Sequence, residues 1–396
     1  MNLKIFLNMR AIRYLKIFAT CSVALVFAAC SHDKGEEAVE EKTSPEPSLS
    51  PTRTPVIFDT DMAIDDWSAL LYLGMSDSVN LIGVLANGAG ETRCGPAMKN
   101  IPKLLDLVPA SLNTQDVPFA CGDDYPLQGY FAFPEPWRQQ ADTLSGVELP
   151  ASQKSASKLH AVELLHQLLQ KQAQPVVLLA TGSLTNIAQW IEKYPDDKDQ
   201  ISRLVIMGGA FNVKGNIIVP GFTDNHPNQN AEWNMFVDPL AAKQVFSSGL
   251  PMEVVGLDVT NQVKVTTEFA QSFKASVKTP AAEFWSAVLD DNDWFIDSGE
   301  YYFWDVLAAI VAANPEYCIG TKHSVEVGYE VSTTAWQASA LKTIPATTQM
   351  GDKRLHLEAE SAGVTRKGGN NPPVKICEKT FPKKAFALFT ETLNAQ

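Results

Sequence analysis

From Pro55 onward, short apolar runs alternate with segments of helical periodicity, and that alternation restricts the chain to few architectures. The runs are Val56-Ile57-Phe58, Leu81 to Leu85, Val117 to Ala120, Val176 to Ala180, Leu204 to Met207 and Glu253 to Leu257. Between them, Asp66 to Met75, Gly95 to Leu107, Lys158 to Gln172 and Leu184 to Lys193 read as helices. Strands that are apolar throughout are buried on both faces, so the pattern predicts a mainly parallel, Rossmann-like open sheet covered by helices. This is an α/β fold, read over residues 55–396 as a single large domain. After about Pro315 short alternating segments such as Ser324 to Val331 and the turn-rich stretch Gly368 to Pro373 predict a partly β-rich end packed on the same domain.

The N-terminus is not part of that pattern. Lys4, Arg10, Arg13 and Lys16 precede an apolar run from Ile17 to Ala29, which is too short for a comfortable membrane span and ends at Cys30. Residues 1–29 read as an export signal. Phe27-Ala28-Ala29-Cys30 resembles a bacterial lipobox, which implies lipidation of Cys30, and Ser31 behind it favours the outer membrane by the sorting rule for such proteins. The expectation is an exported chain held to a bacterial membrane through its lipid alone. Residues 31–54 are poor in apolar side chains and rich in Glu, Ser and Pro, so residues 30–54 read as lipidated cysteine and tether.

The formal net charge is −13, and removal of residues 1–29 with their four cations takes it to −17. No basic patch is visible, so a nucleic-acid partner is not expected. Cys94, Cys121, Cys318 and Cys377 remain after the signal and Cys30, with no close Cys/His spacing of a zinc site. In an exported chain they are structural thiols or disulfides, and their pairing is open among three connectivities.

In parallel sheets ligands lie beyond the carboxyl ends of the strands. There, Phe58-Asp59-Thr60-Asp61-Met62-Ala63-Ile64-Asp65-Asp66-Trp67 places four carboxylates within eight positions. A helix N-terminus accounts for Asp65 or Asp66, not for all four. Like charges so close raise one another's pKa unless a cation sits among them, and oxygen-only ligands favour a hard ion such as calcium or magnesium.

D-T-D-x-x-x-D-D after a strand resembles the signature of the inosine-uridine nucleoside hydrolase family. The resemblance implies that Asp61 and Asp66 bind Ca2+, that Asp61 also takes a proton from the attacking water, that Asp65 contacts ribose and that Asp59 supports the loop. Ala180-Thr181-Gly182-Ser183-Leu184-Thr185-Asn186 is similar to the family's GPLTN turn, which implies a metal-binding backbone carbonyl at Thr185. Gly208-Gly209, Gly215-Asn216 and Ala231-Glu232-Trp233-Asn234 follow in family order, which implies ribose contacts from Asn216, Glu232 and Asn234. The interval before Glu232 is longer than usual, leaving Asn228 or Asn230 as replacements for Asn216. Glu91 stands where relatives place a site-facing Asn or Asp. Trp304-Asp305 resembles the late metal site, with Asp305 as a further calcium carboxylate.

Many members carry a histidine before that aspartate to protonate the departing base, and here the residue is Trp304. This is similar to the purine-preferring branch, in which aromatic stacking activates the base. Trp137, with Phe133 behind it, is the candidate second aromatic. None of the six histidines is assigned a role, although His226 lies in the long insertion before Glu232. The implied activity is calcium-dependent hydrolysis of ribonucleosides, purine nucleosides favoured, to base and ribose, with a small-molecule partner and a homo-oligomer left open. Two alternatives stand beside it. One is a riboside-binding surface lipoprotein without turnover. The other is a haloacid-dehalogenase-type phosphatase with Asp59 as nucleophile, which would leave Glu232, Asn234 and Trp304-Asp305 without roles.

Overall fold

The computed structural model describes residues 53–112, 114, 116–220, 223, 224, 226–332 and 354–395. The export signal, Cys30 and nearly all of the tether lie outside the described residues. Strand β1 (Thr54–Thr60) begins one residue before the expected domain boundary, and Arg53 already bonds the Leu112 carbonyl. The other strands are β2 (Val79–Ala86), β3 (Phe119–Cys121), β4 (Val176–Ala180), β5 (Ile201–Met207), β6 (Met252–Val255), β7 (Ile319–His323), β8 (Val325–Val327), β9 (Thr365–Lys367) and β10 (Val374–Lys379). The helices are α1 (Ile64–Met75), α2 (Cys94–Leu105), α3 (Glu135–Asp142), α4 (Ala161–Gln170), α5 (Thr185–Lys193), α6 (Trp233–Val237) and α7 (Pro239–Ser247). They continue with α8 (Leu257–Thr260), α9 (Thr267–Ser276), α10 (Pro280–Asp291), α11 (Asp293–Asp297), α12 (Trp304–Ala313) and α13 (Pro382–Leu393). Among the described residues no helix is long and apolar enough to cross a membrane.

Eight strands form one open sheet in the order β3-β2-β1-β4-β5-β6-β10-β7. Every neighbouring pair is parallel except β10 with β7, and β8 pairs with β9 in a small antiparallel sheet. The expected mainly parallel α/β domain is therefore the observed one. Period-two alternation feeds two apolar layers. Val56, Phe58, Val177, Leu179, Val205 and Met207 face α1, α2, α10, α12 and α13, whereas Ile57, Leu178, Leu204 and Ile206 face α4, α5 and α7. Burying each of these side chains contributes roughly 1.5–3 kcal/mol.

Strand order reverses at β1, with β2 on one side of it and β4 on the other. A crevice opens beyond the carboxyl ends at such a point, which makes the β1/β4 junction the natural ligand position. Helix α12 is aimed at it from behind. Arg203 on β5 donates to the Val311 and Ala312 carbonyls at 3.3 and 2.7 Å, holding the helix's carboxyl end, and pairs with Glu253, which also binds Lys375. With that end fixed, Trp304 and Asp305 at the other end reach the carboxyl edge of the sheet.

The four cysteines form Cys94–Cys121 and Cys318–Cys377 disulfides. The second joins the residue before β7 to its antiparallel neighbour β10; the first ties the start of α2 to the end of β3.

Candidate active site

Between β1 and α1 the chain turns through Met62, whose φ of 55° lies in the left-handed region and is held by two bonds. The Thr60 hydroxyl accepts from the Met62 N–H at 2.9 Å, and the Trp67 indole donates to the Met62 carbonyl at 2.7 Å. Asp66 closes the turn. Its Oδ2 accepts the Ala63 N–H at 3.0 Å, and its Oδ1 accepts the Thr60 hydroxyl and, at 2.6 Å, the Thr181 hydroxyl. These contacts fix the first helical turn so that Asp61, Asp65 and Asp66 share one side of it.

Asp305, from the first turn of α12, completes the group. Carboxylate oxygens of Asp65, Asp66 and Asp305 lie within 4.8 Å of one another, all three residues being buried. Asp305 Oδ1 is buried with no hydrogen-bond partner. Asp61 adjoins them, with Oδ2 accepting the Glu91 N–H at 3.1 Å and its carbonyl accepting the Thr92 N–H at 2.9 Å. The backbone comes so close here that side chains are excluded: a Cβ on Gly90 would lie 2.2 Å, and one on Gly182 2.7 Å, from the Asp61 Cβ.

Burial, then the charge of Asp66, pushes the Asp65 carboxyl up to about 7. Burial followed by Asp66 and Glu91 raises Asp61, and burial followed by Asp65 and Asp66 raises Asp305. Several buried acids forced toward the neutral form, an orphaned carboxylate oxygen and no His or Cys donor make a set that fits a hard divalent cation. Asp59 stands behind the group as expected, its Oδ1 accepting from Asn186 at 2.7 Å, and burial pushes it up to about 8. Glu91 is half-buried, and its carboxyl is raised first by burial and then by Asp65 and Asp66, so it too faces the cluster.

Thr185 is the residue expected to offer a backbone carbonyl to the ion. Thr185 is already the first residue of α5, and its hydroxyl is spent on Asp238 at 2.7 Å. The threonine against the cluster is Thr181, directly after β4, whose hydroxyl binds Asp66 and whose carbonyl accepts from the Asn234 amide at 2.8 Å. Within ATGSLTN, Thr185 and Asn186 bond Asp238 and Asp59, and the residue that reaches Asp66 is Thr181. The signal that would have found it is the end of the apolar run at Ala180.

Glu232 and Asn234 reach the same edge. Glu232 accepts the N–H groups of Gly209, Asn234 and Met235 at 2.9 to 3.3 Å, and burial pushes it up to about 7. Asn216 accepts from the Trp233 N–H at 3.0 Å and so supports that segment. Asn228 does not replace it, because its amide is used on the Ala359 and Ala362 carbonyls and on the Asn230 and Ala231 N–H groups. Trp304 is half-buried beside Phe295, Tyr301 and Tyr302, at ring distances of 5.6 to 6.0 Å. Trp137 belongs to a different aromatic group, with Phe133 behind it as expected and Trp233 at 5.7 Å. His226 is buried edge-on against Phe236, with its Nδ1 accepting from Asn228 N–H, and burial lowers its pKa. A histidine held neutral in that way is a poor proton donor. Thr60 and Thr181, whose hydroxyls bind Asp66, carry no role in the sequence reading.

An open parallel sheet with a buried carboxylate nest at its switch point defines a class of α/β enzymes that hold a hard cation and a polar ligand. Residues 56–386 match the inosine-uridine preferring nucleoside hydrolase family, and the chain belongs to it as a nucleoside N-ribohydrolase. The chain is 36% identical over 237 residues to the pyrimidine-specific ribonucleoside hydrolase RihA of Shewanella oneidensis, covering 60% of this chain and 69% of the relative. It is 30% identical over 236 residues to the protein of that name from Escherichia fergusonii, covering 60% and 70%. Among solved structures, a plant nucleoside hydrolase aligns with a TM-score of 0.69 at 22% identity, covering 87% of this chain and all of that one. A purine-preferring ribonucleoside hydrolase from Gardnerella vaginalis aligns at 0.62 and 22%, covering 86% and 98%. The two relatives named from sequence carry a pyrimidine-specific name, whereas the Gardnerella vaginalis structure carries a purine-preferring one.

Proposed function

We propose that the protein hydrolyses the N-glycosidic bond of ribonucleosides in a calcium-dependent reaction, with Asp61 as the general base. The observation that carries this is the convergence of Asp65, Asp66 and Asp305 from segments far apart in the sequence, beside Asp61, at the carboxyl edge of the sheet. Asp61, Asp66 and Asp305 would hold the ion, with the Thr181 carbonyl in the part first given to Thr185. Asp65 would divide its oxygens between ion and ribose. Bound calcium supplies the positive charge that lets these carboxylates ionise together and a fixed anchor for oxygen ligands.

The residues then act in order. Asn234, whose amide nitrogen is committed to the Thr181 and Met207 carbonyls, presents its amide oxygen to a ribose hydroxyl, and Glu232 accepts another. Water adds to C1′ as the C1′–N bond breaks with its electron pair leaving on the base, and Asp61 takes the water's proton. Positive charge grows on C1′ and the ring oxygen, facing preorganised carboxylates. The base departs beside Trp304, where stacking against an electron-poor ring stabilises the leaving group without a protein acid.

Trp304 favours purines. A pyrimidine preference is the second reading, favoured by the name that two relatives similar in sequence carry. Ribose release from inosine, guanosine, adenosine, uridine and cytidine, with and without a calcium chelator, tests both. No turnover by calcium-loaded protein overturns the hydrolase; faster turnover of uridine than inosine overturns the purine preference.

We also propose that residues 1–29 are removed on export and that Cys30 is lipidated, which anchors the chain to a bacterial membrane. Two disulfides support an oxidising address. Labelled palmitate incorporated by the native chain and lost in Cys30→Ser is the expected result.

A further inference from the structure

Arg138 touches none of the carboxylates proposed to bind the ion, yet the geometry points to it, given Asp61 as the base, as the positioning residue of the wall against which Asp61 rests. It extends from α3 and is only 7% exposed. Its Nη2 donates to the Gly88 and Thr92 carbonyls at 3.0 and 3.4 Å, and its Nε donates to the Glu91 carbonyl at 3.3 Å. One guanidinium thus fixes the path of the whole 88–92 loop.

The opposite side of the same loop is pressed on Asp61. The Glu91 N–H binds the Asp61 carboxylate, the Thr92 N–H binds the Asp61 carbonyl, and Gly90 leaves no room for a Cβ beside it. One peptide group links the two sides directly. The Glu91 carbonyl and the Thr92 N–H belong to it, so Arg138 holds the acceptor end while Asp61 takes the donor end. A cation at the carbonyl polarises that peptide and strengthens its N–H bond to Asp61. A loop shift of a few tenths of an ångström on the Arg138 side is passed to the base.

The strut is braced at its own ends. Arg93 pairs with Glu135 at 2.7 Å and with Asp142, and its N–H binds Asp142 Oδ1 at 3.0 Å. Next to Arg138, Trp137 packs on Trp233, whose neighbour Glu232 belongs to the ribose wall. Helix α3 therefore spans both walls of the site.

The test is Arg138→Met and Arg138→Lys in the full chain, with calcium titration calorimetry, thermal melting, and kcat and KM on the nucleoside the native protein turns over best. Arg138→Met is expected to lower kcat about 100-fold with KM nearly unchanged, since a small misplacement of a reacting group costs that much. Its calcium dissociation constant is expected to rise roughly tenfold, as for other groups that orient a ligand from behind. Arg138→Lys, which keeps the charge but loses the fork, falls between the two. A lower melting temperature alone, with native kcat and calcium affinity, overturns the proposal. If the Met variant does not fold, a Lys variant with native kcat and calcium affinity overturns it instead. If the native chain hydrolyses no nucleoside, the hydrolase reading fails, and the calorimetry still decides the role of Arg138.

Discussion

The two sides of the site are built differently. The carboxylate side comes mostly from one contiguous stretch, Asp59 to Asp66, closed by Thr60, Thr181 and Trp67 through short buried hydrogen bonds. The side proposed to meet the base is gathered from residues far apart, Trp304 with Phe295, Tyr301 and Tyr302 in one group and Trp137 with Phe133 and Trp233 in another, held by ring packing. Hydrogen-bonded turns specify atom positions, whereas aromatic contacts tolerate exchange and reorientation. A scaffold made this way would hold the proposed bond-breaking half fixed while leaving the proposed base-selecting half open to exchange.

The contrast is open to attack, beginning with the largest effect. Asp61→Asn removes the proposed base without changing its size and is expected to lower kcat about 1000-fold on every nucleoside alike. A loss confined to one base would show that the two halves are not separable.

Acidity gives the next test. Folded-state pKa values of about 8 for Asp59 and about 7 for Asp65 lie above the ordinary 3.8, so the folded metal-free protein binds more protons than the unfolded one. Its stability from these groups is complete below about pH 4 and is lost as pH rises through about 7 and 8. Calcium should restore it, so the increase in Tm on adding calcium should be larger at pH 8 than at pH 5. An equal increment at both would mean that these acids are not what the ion meets.

The disulfides sharpen the comparison further. Cys318→Ser with Cys377→Ser is expected to cost about 3 kcal/mol of stability with little change in KM or kcat. Cys94→Ser with Cys121→Ser should cost a similar amount and also lower kcat, because Cys94 follows the loop that presses on Asp61. Chemical denaturation beside steady-state kinetics separates the two. The smallest effect is reserved for the base side. Trp304→Ala is expected to change the inosine-to-uridine ratio of kcat/KM by about tenfold while sparing calcium affinity.

Much of this was legible in the chain itself. Apolar runs are dictated by burial on two faces, so Val176 to Ala180 is the strand residue for residue, and the acidic stretch after Phe58 has no bland explanation. What escaped depends on three-dimensional register. Thr181 and Thr185 lie in one motif, and only the exact end of β4 decides which meets Asp66. Arg138 acts on carbonyls 46 to 50 positions away, a contact with no local periodicity. The cysteine pairing became readable once β7 lay antiparallel to β10. Trp137 and Trp304 are expected to face one base from two sides, and the structure places them in two separate aromatic groups.

The origin of Asp305 has a consequence for the life of the chain. Asp65 and Asp66 are supplied by the first helix and Asp305 by one of the last, so the three converge only after the intervening sheet has closed. An ion that recognises all three recognises completed folding and nothing earlier, and adds RT ln(1 + [L]/Kd) to the folded state. Given the proposed export and calcium binding, external calcium would set how long a copy survives proteases, making the proposed ion a gauge of intactness as well.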